Sequence, residues 1–148
     1  MNTNMRLFAL ILILIAPTWA VAQKFDEKLK LGDIGPLYVE LMDHASNACW
    51  TNLIEAKSYA AGQIDIAGGK VVDTTKKAET TFSILIVAKR MDTGLCFGGI
   101  RISVFRLDYF KGNGAMILYS QYGSPAVNSL NFNTIVLDSI KEAVEEWR

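Results

Sequence analysis

The sequence predicts a two-layer α+β domain, with a long N-terminal helix and a C-terminal helix packed on an antiparallel sheet of three to five strands. Three observations point to this class. Apolar residues recur at helical spacing near the start and at the end of the globular part. Stretches rich in β-branched residues, separated by turn residues, lie between them. Two cysteines are placed where they can join the first helix to the sheet.

The first 22 residues have the pattern of a signal peptide. Arg6 gives a basic start, an apolar run covers Leu7–Ile15, and Ala20-Val21-Ala22 forms the small-x-small site that signal peptidases cleave. The run is shorter than the roughly 20 residues that span a bilayer, so a cleaved leader is favoured over an uncleaved membrane anchor. We therefore expect a periplasmic or secreted protein with no stable membrane anchor after cleavage.

The rest of the chain divides into a polar, flexible N-terminal arm over residues 23–35 and a single globular domain over residues 36–148. A domain of this length is enough to bury a core. The leader carries Arg6 and no acidic residue, which leaves the mature chain with a net charge of −1. This balance gives no electrostatic reason to expect nucleic acid as a partner.

Both cysteines, Cys49 and Cys96, belong to the mature part. In an oxidising compartment a lone pair is most simply a disulfide, here closing a loop of about 48 residues. The chain-entropy relation puts the stabilisation near ~4 kcal/mol. Two cysteines without supporting ligands make a poor metal site, and their separation excludes a C-x-x-C redox motif. We predict a structural disulfide, no metal and no cofactor.

The first helix is predicted over Leu37–Ala61, with a potential break near Ser46-Asn47. Pro36 suits the first helical position, and Gly62 is a natural C-terminal stop. Apolar residues at helical spacing support it: Tyr38, Leu41, Met42, Ala45, Cys49, Leu53, Ala56 and Ala60. Residues 63–72 fit either a small hairpin or a loop.

Three strands are predicted to follow as an antiparallel meander, over Thr80–Met91, Leu95–Phe110 and Ala115–Tyr122. In the second strand the apolar parity changes at Val104-Phe105, which predicts a β-bulge or a sharp bend there. Lys111-Gly112-Asn113-Gly114 has the composition of a hairpin turn between the last two strands.

The final helix is predicted after Asn131 or Asn133, either of which can cap its first turn. Its apolar side carries Ile135, Val136, Ile140, Val144 and Trp147.

His44 is the one histidine of the sequence and the only imidazole available for acid–base chemistry. On a helix, Glu40 would lie one turn back and could pair with it. The plain alternative is a surface histidine in a helical ion pair. No other pattern of catalytic or metal-binding spacing is present, so we assign no catalytic residue.

Candidate partner-binding residues lie on the last two predicted strands. Tyrosine and arginine are favoured at the energetic centres of interfaces, and ordinary sheet packing is the alternative. The candidates are Tyr109, Tyr119, Tyr122, Arg101 and Arg106.

These features favour an exported, non-enzymatic protein-binding domain, for example an inhibitor or an immunity-type protein. Its partner would be another protein in the periplasm or outside the cell. A small exported hydrolase using His44 with carboxylates on the first helix is the alternative, and a subunit of a cell-envelope assembly is a third possibility.

Overall fold

In the computed structural model the described backbone covers residues 29–110 and 113–148. The predicted signal peptide, residues 1–22, and the start of the predicted arm lie outside the described residues, as do the first two residues of the predicted hairpin turn. The described elements run in the order β1 (Leu37–Ser46), α1 (Leu53–Ile66), β2 (Val71–Val72), β3 (Thr80–Arg90), β4 (Cys96–Phe110), β5 (Asn113–Ser129) and α2 (Phe132–Glu146), with short 3₁₀ turns at Leu31–Asp33 and Thr75–Lys77.

The described strands form one five-stranded sheet in the order β2-β1-β3-β4-β5. β3, β4 and β5 are antiparallel neighbours, as the predicted meander requires. β1 runs parallel to both β2 and β3, so the sheet is mixed and not purely antiparallel. The α+β two-layer class is confirmed.

The predicted long first helix is wrong over its first half, because Leu37–Ser46 is a strand. Leu37 and Val39 are buried on one face of the sheet, and Glu40 lies on the other. Hydrogen bonds to β3 along the whole of β1 satisfy the backbone N–H and C=O groups that would bond within a helix if this segment were helical. The helix itself begins only at Leu53 and continues past Gly62 to Ile66.

Both helices pack on the same face of the sheet and bury the core between the two layers. Ala56, Ala60 and Ile64 of α1 and Val136, Ile140 and Val144 of α2 are buried there. The rings of Phe82 on β3 and Trp147 after α2 meet edge to face, with centroids 6.0 Å apart. Asn131 caps α2 as predicted, since its side-chain oxygen accepts the backbone N–H of Thr134 at 3.4 Å.

The predicted irregularity at Val104-Phe105 is confirmed. Val104 pairs with Ser120 and Phe105 pairs with Leu118, so the extra residue of the bulge is Tyr119 on β5. β5 also runs well beyond its predicted end at Tyr122, as far as Ser129. An edge strand can include a proline, as β5 does, because one of its sides has no ladder to donate to.

The segment of residues 63–72 is neither a hairpin nor a plain loop. It contains the last turn of α1, a turn at Gly68-Gly69 and the two-residue strand β2, which pairs in parallel with the start of β1.

The predicted pairing of Cys49 with Cys96 is confirmed, with a Cα–Cα distance of 5.6 Å. Cys96 opens β4 as expected, but Cys49 lies in the loop between β1 and α1 and not on a helix. Arg90 holds the same loop: its guanidinium donates to the carbonyl oxygens of Asn47 at 3.0 Å and Ala48 at 2.7 Å, two residues with positive φ. The Cys49–Cys96 disulfide and the Arg90 hydrogen bonds therefore both fasten the β1–α1 loop to the sheet.

Within residues 29–110 and 113–148, no helix is long and apolar enough to cross a membrane.

Candidate functional site

One face of the sheet carries no helix, and we call it the open face. Cross-strand partners share a face, so the pairing register defines its members. The described members are Tyr38, Glu40, Met42, His44 and Ser46 of β1; Thr81, Ser83, Leu85, Val87 and Lys89 of β3; Phe97, Gly99, Arg101, Ser103, Phe105 and Leu107 of β4; and Met116, Leu118, Gln121, Gly123 and Asn128 of β5.

Large apolar side chains of the open face are exposed to solvent. Val87 is 55% exposed, Phe97 54%, Leu118 46% and Met42 41%. Met42, Val87 and Phe97 are diagonal neighbours on β1, β3 and β4, whereas Leu118 lies on β5 at the level of Thr81, towards the other end of the strands. Exposed apolar patches of this kind mark sites of interaction with other molecules.

Glycines shape the centre of the open face. Gly99 and Gly123 contribute no side chain, and a hollow of about 600 Å³ lies over them beside Leu85, Val87 and Arg101. A second hollow of similar volume, lined by His44, Lys89 and Phe97, adjoins it and shares Val87 and Gly99. The two hollows together form a continuous depression with an apolar floor.

Charge is distributed unevenly along the strands of the open face. The depression is lined by Arg101, Lys89 and His44, with no carboxylate among its described lining residues. A third hollow of about 300 Å³ lies at the opposite end of the strands and is lined by Glu40 and Glu79. The open face therefore has a basic end and an acidic end.

The structure does not bring the five predicted partner-binding residues together. Arg101 lies on the open face, whereas Tyr122 pairs with the buried Ile102 and lies on the helix-covered face. Tyr119 is the bulged residue of β5. The backbone of Tyr109 lies in β4, and its side chain is outside the described part of the chain.

Arg106 is engaged within the β4–β5 hairpin. Its guanidinium donates two hydrogen bonds to the carboxylate of Asp108, each 2.8 Å long. This hydrogen bonding, with a smaller contribution from Tyr119, raises the pKa of Arg106 above its usual value. The pair fixes the arginine along its own strand, and the hydrogen bonds to Asp108 use two of its five N–H groups.

Tyr122 joins the sheet to α2. Its hydroxyl donates a hydrogen bond to the carboxylate of Glu142. That bond, followed by burial, raises the pKa of Tyr122 to about 12. The contact is structural, because both groups lie on the helix side of the sheet.

His44 is exposed on β1 and makes no hydrogen bond with any described residue. The predicted pairing with Glu40 is wrong, because residues four apart on a strand are about 13 Å apart along the chain and not one helical turn apart. The described residues contain no group of three or more metal-ligating side chains.

Sequence reasoning missed Val87, Phe97 and Leu118 as members of the site. A signal was present in β3, where residues 84–88 are apolar on both faces. That pattern is typical of a central strand, and β3 is central. Only the positions of the helices show that one of its apolar faces remains uncovered.

Comparison with known proteins finds similarity at the level of structure and none at the level of sequence. No protein family matches the chain, and no curated protein is similar to it in sequence. Among solved structures the chain is similar to the PelC dodecamer from Paraburkholderia phytofirmans, with a TM-score of 0.51 and 14% sequence identity. The match covers 82% of this chain and 92% of the PelC chain. At this identity the likeness shows a shared fold.

Proposed function

We propose that this chain is an exported, non-enzymatic protein-binding domain that docks another protein on its open face. The observation that carries the proposal is the exposure of Met42, Val87, Phe97 and Leu118 on one uncovered sheet surface. A central apolar patch surrounded by polar groups is the usual composition of a protein interface.

The disulfide supports the exported part of the proposal. Disulfides persist in oxidising compartments, and the Cys49–Cys96 bond joins two buried cysteines. Mass spectrometry of the protein recovered from its host tests this part. We expect a mature chain that begins at Gln23 and contains no free thiol; a cytosolic full-length chain with two free thiols would contradict it.

A photo-crosslinker tests the docking surface in cells. With p-benzoylphenylalanine in place of Val87 or Phe97, we expect discrete crosslinked products. The matched control is Ile54, which is 86% exposed on α1, away from the open face. Equal crosslinking at Ile54, or none at the open-face positions, would contradict the proposal.

A second candidate function is a subunit of an assembly built from copies of this chain in the cell envelope. It is favoured by the structural likeness to PelC, whose solved structure is a dodecamer. The hydrolase alternative was predicted from carboxylates beside His44 on a helix, and because that segment is a strand we do not propose it.

A further inference from the structure

We propose that the open face binds a second copy of this chain, with the two sheets stacked face to face and their strands antiparallel. This inference rests on the proposed role of the open face in protein binding and names the partner. Two-fold interfaces, in which the same patch is used by both subunits, are the commonest in soluble oligomers. They require a patch that is complementary to itself.

The charges of the open face meet this requirement. Glu40 is paired with Ser83, and Lys89 lies six residues further along the same strand as Ser83. The acidic and basic ends are therefore about 20 Å apart along the strands. Lys57, which reaches over the ring of Tyr38 from α1, offsets part of the charge at the acidic end.

The direction of the two-fold axis follows from these charges. An axis that lies in the interface and runs across the strands, between Leu85 and Val87, places Glu40 of one copy near the partner's Lys89. An axis that runs along the strands would instead place the acidic ends of the two copies together and their basic ends together. The first arrangement therefore pairs opposite charges at two symmetric contacts, at the cost of bringing the two copies of Arg101 together near the axis, whereas the second pairs like charges at both ends of the strands. We select the first arrangement on this balance.

The apolar centre of the open face lies on this axis. Stacked sheets are separated by about 10 Å, which brings Leu85 and Val87 of one copy against the same residues of the other. The depression over Gly99 leaves room for side chains of the facing copy. The exposed apolar area that carries the proposed function would thus be buried by self-association.

Substitution of Arg101 distinguishes a second copy of this chain from an acidic partner protein. Arg101 is paired with Leu85, one residue from the axis, so the two copies of Arg101 approach each other. We expect Arg101→Gln to leave self-association unchanged or stronger. An acidic partner protein would be held by Arg101, and the same substitution would weaken its binding.

Charge exchange tests the arrangement. Sedimentation equilibrium of the mature, oxidised chain at low salt is expected to show a dimer. Because each substitution acts at two symmetric contacts, Glu40→Lys and Lys89→Glu should each weaken dimerisation about 10-fold or more. The double variant Glu40→Lys with Lys89→Glu should return to within about threefold of the unmodified protein, as opposite charges again face each other.

The matched control is Asp138→Lys, an exposed charge reversal on α2 that should have no effect. Glu40→Gln provides a milder change if circular dichroism shows that Glu40→Lys disturbs folding. A monomer at about 0.5 mM, an oligomer insensitive to the single reversals, or a double variant no tighter than the single ones would overturn the inference. If self-association is overturned, crosslinks from Val87 to a different protein would still support the proposed docking function. The absence of any such crosslinks would contradict that function as well.

Discussion

Reduction of the Cys49–Cys96 bond should destabilise the folded domain strongly while leaving its architecture in place. The two cysteines are 47 residues apart and are both buried, at 3% and 0% exposure. In the oxidised structure Arg90 holds the β1–α1 loop independently of the disulfide, and we expect these hydrogen bonds to persist after reduction. Most of the effect must therefore come from the unfolded chain, which gains freedom when the cross-link is removed.

The expected size follows from the length of the closed loop. For 47 residues the chain-entropy relation gives about 4 kcal/mol, and native disulfides in small exported domains contribute about 2–5 kcal/mol. Total stabilities of domains are about 5–15 kcal/mol, so the reduced protein should still fold but with a much smaller margin.

Urea unfolding of the oxidised and the reduced chain measures this difference. With a urea dependence of about 1.5 kcal/mol per molar, a loss of 4 kcal/mol lowers the midpoint by about 2.5 M. The double variant Cys49→Ala with Cys96→Ala serves as the control, and its midpoint should not respond to reductant. Oxidised and reduced midpoints within about 0.5 M of each other would refute the assignment of this stabilisation to the cross-link.

Three further predictions concern single contacts. Arg90→Met should lower the free energy of unfolding by about 1–2 kcal/mol, because the carbonyl oxygens of the β1–α1 loop lose a charged donor; a loss below about 0.5 kcal/mol in urea unfolding would contradict the role of Arg90. Tyr122→Phe should remove the component near pH 12 from the tyrosinate absorbance titration at alkaline pH. Since the folded pKa of Tyr122 is raised, the stabilisation from its hydrogen bond is present below pH ~10 and is lost as the pH rises towards 12. An absorbance titration that Tyr122→Phe leaves unchanged would rule out the hydrogen bond from Tyr122 to α2. Gly98→Ala should cost about 2 kcal/mol or more because the new methyl group would overlap the backbone of β3, whereas Gly62→Ala, in an open part of α1, should stabilise by about 0.5–1 kcal/mol; thermal unfolding of the two variants should shift in opposite directions.

Elements with local signals could be predicted from the sequence. α2 has an asparagine cap and a continuous apolar stripe, and β3 is dense in β-branched residues, so the structure places both close to their predicted bounds. The change of parity at Val104-Phe105 correctly located the bulge, although the extra residue lies on the opposite strand.

β1 could not be assigned from spacing alone. Leu37, Leu41 and Ala45 are four residues apart, and this spacing places residues on one side of a helix and also on one face of a strand. Tertiary pairing with β3 decides in favour of the strand. This difference changes the candidate site, because in a strand Glu40, Met42 and His44 lie together on the open face.

The candidate site depended on which face of the sheet the helices cover. The sequence predicts two helices and apolar residues on both faces of β3, but not which face remains free. Sequence reasoning therefore selected Tyr122 and Arg106, which are hydrogen-bonded to Glu142 and Asp108 respectively. The aliphatic and phenylalanine side chains of the open face became candidates only once the two layers were in place.

Hydroxyl-radical footprinting in intact cells is the sharpest test of docking on the open face, because it reports whether that face is covered where the protein acts. Oxidation of Met42 and Phe97 should be strongly reduced in cells relative to the dilute purified domain, while oxidation of Ile54 on α1 should be the same in both. Equal oxidation of Met42 and Phe97 in cells and in dilute solution would show that no protein covers this face and would contradict docking on the open face.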